Sequence, residues 1–309
     1  MSFLQRILGK KPTAPKADFA KYPQLESQPR FLETTDHNQA LCEDGFVAFP
    51  WLGDAEIEKL KQIVDEAGQG LDFDDVHIPT AFHLSSFHND ARYKSKIYKA
   101  VSEALFDRLN DLLPDYEPLV INYFNKEPQD SYDAVPIHQN PSFVDEPAHK
   151  SVSLWIPLQD VGKDNGGIGV QKGSHNRINT MRSGNMPHSF VFSHVSQVLE
   201  QELFEPIEMK KGEVLVLDDS IIHWSFPNVS TVSRQAVQLI MVPRKAKHIY
   251  YYYDDSQAEP MMDLYEVNKD FFFNFNCNDR PQDLRLLDRV PYEYRPIERC
   301  ELDWPDSVS

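Results

Sequence analysis

The chain has 309 residues, 41% of them hydrophobic and 12% aromatic, which is enough apolar matter for a packed core and excludes a disordered chain. A net charge of −17, from 31 basic and 48 acidic residues, argues against a nucleic-acid partner and an anionic membrane surface, since both need surplus Lys and Arg. The cysteines Cys42, Cys277 and Cys300 form neither a disulfide framework nor a metal knuckle, and no apolar run reaches the ~20 residues of a membrane span. The expectation is a cytoplasmic monomer or homodimer without stable membrane insertion, acting on a small molecule.

Residues 1–39 read as an irregular arm: the basic start MSFLQRILGKK is too short in apolar residues for a signal-peptide core, and a Pro/Lys/Ala run follows it. A short strand over 45–49 opens the ordered part. Asp54 caps a helix running to Gly68, with Ile57, Leu60, Ile63 and Val64 on one face. A second helix over 90–113 repeats the pattern at Ile97, Val101, Leu105 and Leu109, and Pro114 ends it. After Pro114 the period changes to two. Strands are expected over 119–124 and 151–158, where Val152, Leu154 and Ile156 share one face and Ser153 and Trp155 the other. Asp164-Asn165-Gly166-Gly167 signals a hairpin turn, with a return strand over 168–171. Further strands are expected over 206–209, 213–218 and 234–242. Helices followed by many short strands point to a mostly β protein with helices packed outside a sandwich or barrel. Residues 246–309, rich in Tyr and Phe, read as an extension packed on that barrel, its aromatics serving core or dimer packing rather than a substrate lid.

The chemistry concentrates in Pro136-Ile137-His138-Gln139-Asn140 and Ile221-Ile222-His223. His138 and Asn140, two apart on an extended stretch, point the same way. Two imidazoles from different strands plus an oxygen ligand build a facial triad for non-haem Fe(II), leaving positions open for a 2-oxo acid and O₂. Arg234, on a strand expected to run antiparallel to that of His223, suits the distal carboxylate of 2-oxoglutarate, and the Ser225 hydroxyl can add a contact.

The stretches EDGFVAFPWLGDAEIEKLKQIVDE, HQNPSFVDE, SVSLWIPLQDVGKDNGGIGVQKGSH and GEVLVLDDSIIHWSFPNVSTVSRQAV resemble successive motif blocks of the phytanoyl-CoA dioxygenase family, covering 40–245. The resemblance implies a double-stranded β-helix (jelly-roll) barrel that uses Fe(II), 2-oxoglutarate and O₂, usually to hydroxylate small molecules. It makes His138 and His223 the iron histidines and Arg234 the co-substrate arginine. It also makes Trp155 an aromatic of the co-substrate pocket and Lys126, a lysine upstream of the proximal histidine, a further co-substrate contact.

One residue departs from the family pattern His-x-Asp: Asn140 stands where the carboxylate belongs. Four readings follow. Asn140 ligates through its amide oxygen; Asp145 or Glu146 swings in instead; the position is left vacant or to an anion; or catalysis is lost and only binding of 2-oxoglutarate or a metabolite remains. Restoring Asp at 140 is expected to raise Fe(II) affinity. A third class of function, a cupin-like metal protein without 2-oxoglutarate, needs no Arg234.

Of the other histidines, His188 and His194 read as surface or packed residues more readily than as a second metal site. His77, His83 and His88 lie in a segment suited to cover the barrel mouth, and His175 to order a loop. Asp218 and Asp219 are candidate partners for an imidazole N–H, or turn residues. The sequence lacks a phosphate loop, a nucleophile elbow and an HExxH helix.

Overall fold

The computed structural model describes residues 35–128, 133–178, 180–185, 191–292 and 294–302. Its organisation follows from strands buried on both faces. In β5 (Val152–Pro157) the side chains of Val152, Leu154 and Ile156 join the core beneath the helices, while Trp155 belongs to the cluster inside the barrel. The same alternation governs β3 (Tyr116–Lys126), β8 (Glu213–Asp218) and β10 (Arg234–Pro243). Val214 and Val216, or Val237, Leu239 and Met241, face the helices, whereas Leu215, Leu217 and Ala236 face inward. A period of two therefore separates a structural face from a functional face.

These strands, with β1 (Phe46–Pro50) and β2 (His83–Leu84), form a six-stranded antiparallel sheet in the order β1-β8-β5-β10-β3-β2. A second sheet holds β4 (Val135–His138), β6 (Ile168–Val170), β7 (Glu205–Ile207) and β9 (His223–Ser225) in the order β4-β9-β6-β7. The two sheets are the layers of a jelly roll. The outer face of the larger one is covered by α1 (Thr35–Asp44), α2 (Asp54–Gly68), α3 (Ala91–Ala104) and α4 (Phe106–Leu112). No helix among the described residues is long and apolar enough to cross a membrane.

Several expectations are corrected. Residues 35–39, placed in the irregular arm, begin α1, whose Leu41 is buried in the helix–sheet core. The helix expected over 90–113 breaks at Leu105, where φ −107° and ψ 8° leave the helical region, and becomes α3 and α4. Gly53 rather than Asp54 is the N-cap of α2, its N–H donating to Glu56 Oε2 at 2.8 Å. The 164–167 turn is not a hairpin between paired strands: β5 and β6 lie in different sheets, and the turn carries the chain across. β9 and β10, expected to run antiparallel, lie in different layers, so Arg234 reaches the β9 strand from the opposite sheet, at Ser225.

The C-terminal residues add a three-stranded sheet, β11 (Ile249–Asp254), β12 (Met261–Glu266) and β13 (Leu286–Pro291), with a short helix α5 (Lys269–Asn274) between the last two. Arg280 and Arg289 tie this sheet together on Asp254 and Asp263. Phe272 packs on Phe143 (centroids 5.9 Å) and Phe273 on Tyr98 (5.3 Å), so the extension is fastened to the barrel and to α3.

Candidate functional site

The antiparallel pairing of β4 with β9 sets His138 directly opposite His223, and their ring centroids stand 4.2 Å apart. Each Nδ1 lies on a backbone carbonyl, His138 on Pro136 O (2.8 Å) and His223 on Ile221 O (3.0 Å). A carbonyl can only accept, so both rings are Nδ1–H tautomers and each presents the Nε2 lone pair as its ligating atom. Burial lowers the His138 pKa, which keeps that lone pair unprotonated near neutrality. Of the two readings of Asp218 and Asp219, the turn holds for Asp218, whose Oδ1 accepts from Ser220 N at 2.8 Å, while backbone carbonyls rather than either carboxylate orient the imidazoles.

Asp219 holds Asn140 instead. The amide nitrogen of Asn140 donates to Asp219 Oδ1 (2.8 Å) and to Ser153 Oγ (3.0 Å), and the Ser153 hydroxyl donates to the same carboxylate oxygen (2.6 Å). A carboxylate fixes the NH₂ end on its own side, so the Asn140 oxygen is turned the other way, beside His138. The backbone is held as firmly: Asn140 N donates to Asp219 O (3.0 Å), and its carbonyl accepts from Arg182 Nε (2.6 Å). Burial pushes the Asp219 pKa up to about 6, against the hydrogen bonds of Ser153, Ser151 and Asn140.

The alternative oxygen donors are elsewhere. Glu146 pairs with the buried Arg182 (Nη1 at 3.0 Å), and Asp145 is exposed, its backbone carbonyl accepting from His149 N at 2.8 Å. Among the described residues no three His, Cys, Asp or Glu side chains gather into a metal-binding group. Two imidazoles and one amide oxygen are the donor set that lies together, and its chemistry fits a divalent first-row metal more weakly bound than with a carboxylate.

Across the cavity, Arg234 is 1% exposed and is carried by the first position of β10. Its Nη2 donates to Ser225 Oγ (3.3 Å), and the guanidinium lies 5.6 Å from the Trp155 ring centroid. Nε and Nη1 find no acceptor. Burial pushes its pKa down to about 10, so it remains a cation, with two N–H directions awaiting an anion. Gly166, at φ +77°, makes room for it: a Cβ there would stand 3.0 Å from Arg234 Nε and 2.9 Å from Lys126 Cδ. Arg234, Ser225, Trp155, His138, Asn140 and His223 all line one cavity of about 500 Å³.

Lys126 is not among the cavity's lining residues, which corrects its expected co-substrate role. Fully buried and opposite Arg234 in the β3–β10 ladder, it donates to Phe226 O (2.7 Å) and Ser225 O (3.4 Å) and pairs with Asp133 at 3.8 Å. It thus braces the chain after His223. His77 lines the cavity; His83 bonds to Tyr93 Oη (2.8 Å) and His88 to Asp72 O (2.9 Å). His175 reaches Cys42 O at 3.1 Å and orders the turn beneath α1, as expected, and His194 pairs with Glu298. His188 lies outside the described residues.

The sequence model of the family described as Phytanoyl-CoA dioxygenase (PhyH) matches residues 41–236, well over half of the chain. The chain belongs to the phytanoyl-CoA dioxygenase family. It is 29% identical over 192 residues to the Arabidopsis thaliana protein named phytanoyl-CoA dioxygenase, a match over 61% of each chain. With rice (Oryza sativa subsp. japonica) phytanoyl-CoA dioxygenase 1 it shares 33% over 127 residues, 40% of this chain and 45% of that protein. The match thus spans between about half and three fifths of these relatives. Among solved structures, the epimerase SnoN in complex with Fe³⁺, alpha-ketoglutarate and nogalamycin RO superposes with a TM-score of 0.52 at 13% identity, over 68% of this chain and 83% of that one. HygX from Streptomyces hygroscopicus, with nickel, 2-oxoglutarate and hygromycin B bound, gives 0.50 at 14% identity, over 69% and 88%. These likenesses show the jelly-roll fold. In this phytanoyl-CoA dioxygenase family member the match ends at residue 236, inside β10, so the rest of β10 and the whole C-terminal sheet lie beyond it.

Proposed function

We propose that the chain is an Fe(II)- and 2-oxoglutarate-dependent dioxygenase that hydroxylates a small organic molecule, organised as a jelly-roll domain over 40–245 with a packed extension over 246–309. His138, His223 and the Asn140 amide oxygen are the protein ligands. Arg234, helped by Ser225 and walled by Trp155, takes the distal carboxylate of the co-substrate. The observation that carries this is the buried Arg234 guanidinium, with Nε and Nη1 unpartnered, in the same cavity as the two histidines. A buried cation with unused donors is a costly feature in a stable protein unless an anion completes it. Bound iron with 2-oxoglutarate and O₂ would supply oxidising power for C–H hydroxylation, with succinate and CO₂ as co-products. The protein's part is to fix both tautomers, aim the amide oxygen, clamp the dicarboxylate and exclude water from an apolar chamber.

One observation favours a second reading, a binder of 2-oxoglutarate without turnover: the third donor is a neutral amide. Calorimetry with Ni(II) and 2-oxoglutarate, followed by succinate assay with Fe(II) and O₂, separates the two. Binding that Arg234→Ala abolishes, together with succinate release, is the expected result. Unchanged 2-oxoglutarate affinity in Arg234→Ala overturns the site assignment, and binding without succinate selects the second reading.

A further inference from the structure

The cavity has two ends of different origin. The end with the histidines and Arg234 comes from the family-matched residues. The far end is closed by Ile240, Tyr250, Phe272 and Phe275 from beyond residue 236. Among the described lining residues Arg234 alone carries a full charge; no Asp, Glu or Lys is present. Burial holds His77 toward the neutral form and pushes the Cys277 thiol up to about 11. The other polar features of the chamber are neutral, and Gln238 links them to Ser153 (3.3 Å), the hydroxyl that holds Asn140. Asn122, 5% exposed, gives its amide nitrogen to Gln238 Oε1 (3.1 Å), while its Oδ1 has no partner. Tyr250, 3% exposed, turns its hydroxyl to the Gly184 backbone.

Resting on the function proposed above, we infer that the substrate compartment takes an uncharged, largely hydrocarbon molecule carrying a hydroxyl or amide N–H, and that the C-terminal extension selects it. A charge entering this end would lose its hydration and meet no counter-charge, because Arg234 is engaged by the co-substrate. An apolar body is matched by the aromatic wall, and one donor on the ligand completes Asn122 Oδ1. The same logic excludes the polyanionic head of an acyl-CoA from the chamber, and a surface of net charge −17 gives such a head no help outside.

The test uses the full chain with Ni(II) and saturating 2-oxoglutarate, Nile red as the fluorescent probe, and four competitors of one chain length: dodecanol, dodecylamine, dodecanoate and lauroyl-CoA. Dodecanol is expected to displace the probe at concentrations at least tenfold lower than the other three. Phe275→Lys should lose dodecanol at least tenfold while 2-oxoglutarate affinity, read by calorimetry, stays within twofold. Asn122→Asp should shift the preference toward dodecylamine. Lauroyl-CoA or dodecanoate competing as well as dodecanol overturns the inference, as does the lack of any displaceable Nile red. Selective dodecanol binding by a protein that takes up no 2-oxoglutarate would support this inference and remove the proposed function, so the two fail separately.

Discussion

Placing a carboxylate at position 140 is the obvious repair from the sequence, and the structure predicts that alone it will not work. The new carboxylate would replace an amide whose nitrogen stands 2.8 Å from Asp219 Oδ1. Two like charges at that separation repel by about 6 kcal/mol at an effective dielectric of 20, equivalent to about four pKa units. The pair therefore keeps one proton at neutral pH and titrates as a unit. The single variant Asn140→Asp then carries the same net charge as the wild type, with its negative charge shared between 140 and 219. Its metal affinity should stay within a few-fold of wild type. The exchange Asn140→Asp/Asp219→Asn rebuilds the hydrogen bond with donor and acceptor reversed and turns a full carboxylate toward the imidazoles, so Ni(II) affinity should exceed wild type at least tenfold. Asp219→Asn alone offers Asn140 an ambiguous partner and frees the amide to flip; loss of such an orienting contact typically costs 10–100-fold in metal affinity. Calorimetric titration with redox-inert Ni(II), with thermal melting as a check of folding, measures all four proteins. An Asn140→Asp single variant binding as tightly as the exchange, or an Asp219→Asn variant binding like wild type, would refute the reasoning.

Gly166→Ala should raise the 2-oxoglutarate Kd at least tenfold with little change in Ni(II) affinity, since its Cβ would displace the Arg234 guanidinium; Arg234→Lys should do the same by losing the planar fork. Lys126→Met should destabilise the fold by about 3–5 kcal/mol in urea unfolding by leaving Asp133 buried without its cation, and Lys126→Met/Asp133→Leu should recover most of that. Burial lowers the His83 pKa from 6.5 to about 4. Because the folded value lies below the unfolded one, the neutral ring's contribution is present above pH 6.5 and is lost as pH falls toward 4, at most about 2 kcal/mol by pH 5. His83→Phe should flatten the wild-type stability slope between pH 7.5 and 5 by about that amount; equal slopes would contradict it.

What the sequence disclosed was set by local periodicity and by residue types with few alternative uses. The two-residue period of 151–158 separates the Val152–Leu154–Ile156 face from the Ser153–Trp155 face as the structure has it. His138, His223 and Arg234 were legible because their order and strand context suit one chemistry, and the structure brings all three to one cavity. Pairings between distant strands were not legible. Nothing local distinguishes a turn that closes a hairpin from one that changes sheets, so the sequence suggests the wrong partner for β6. Asp219 stands close to His223 in the sequence, yet its partner sits far back at Asn140, a contact that only tertiary packing creates. Lys126 shows the same limit: a buried lysine saturated by carbonyls looks identical in sequence to one that meets a ligand. The far wall of the cavity comes from aromatics that composition assigns to packing, and they do pack, while also bounding the chamber.

Because the imidazoles ride on the smaller sheet and the guanidinium on the larger, a dicarboxylate held at both ends would be a stitch through the sandwich. Sliding of one layer over the other would then stretch that stitch, so loading the co-substrate should slow amide exchange in β9 and β10 together, although the two strands share no ladder. The loop over 226–233 that joins them in sequence would contribute little to that coupling, and changes in its length should leave the span between the two ends of the site unaltered.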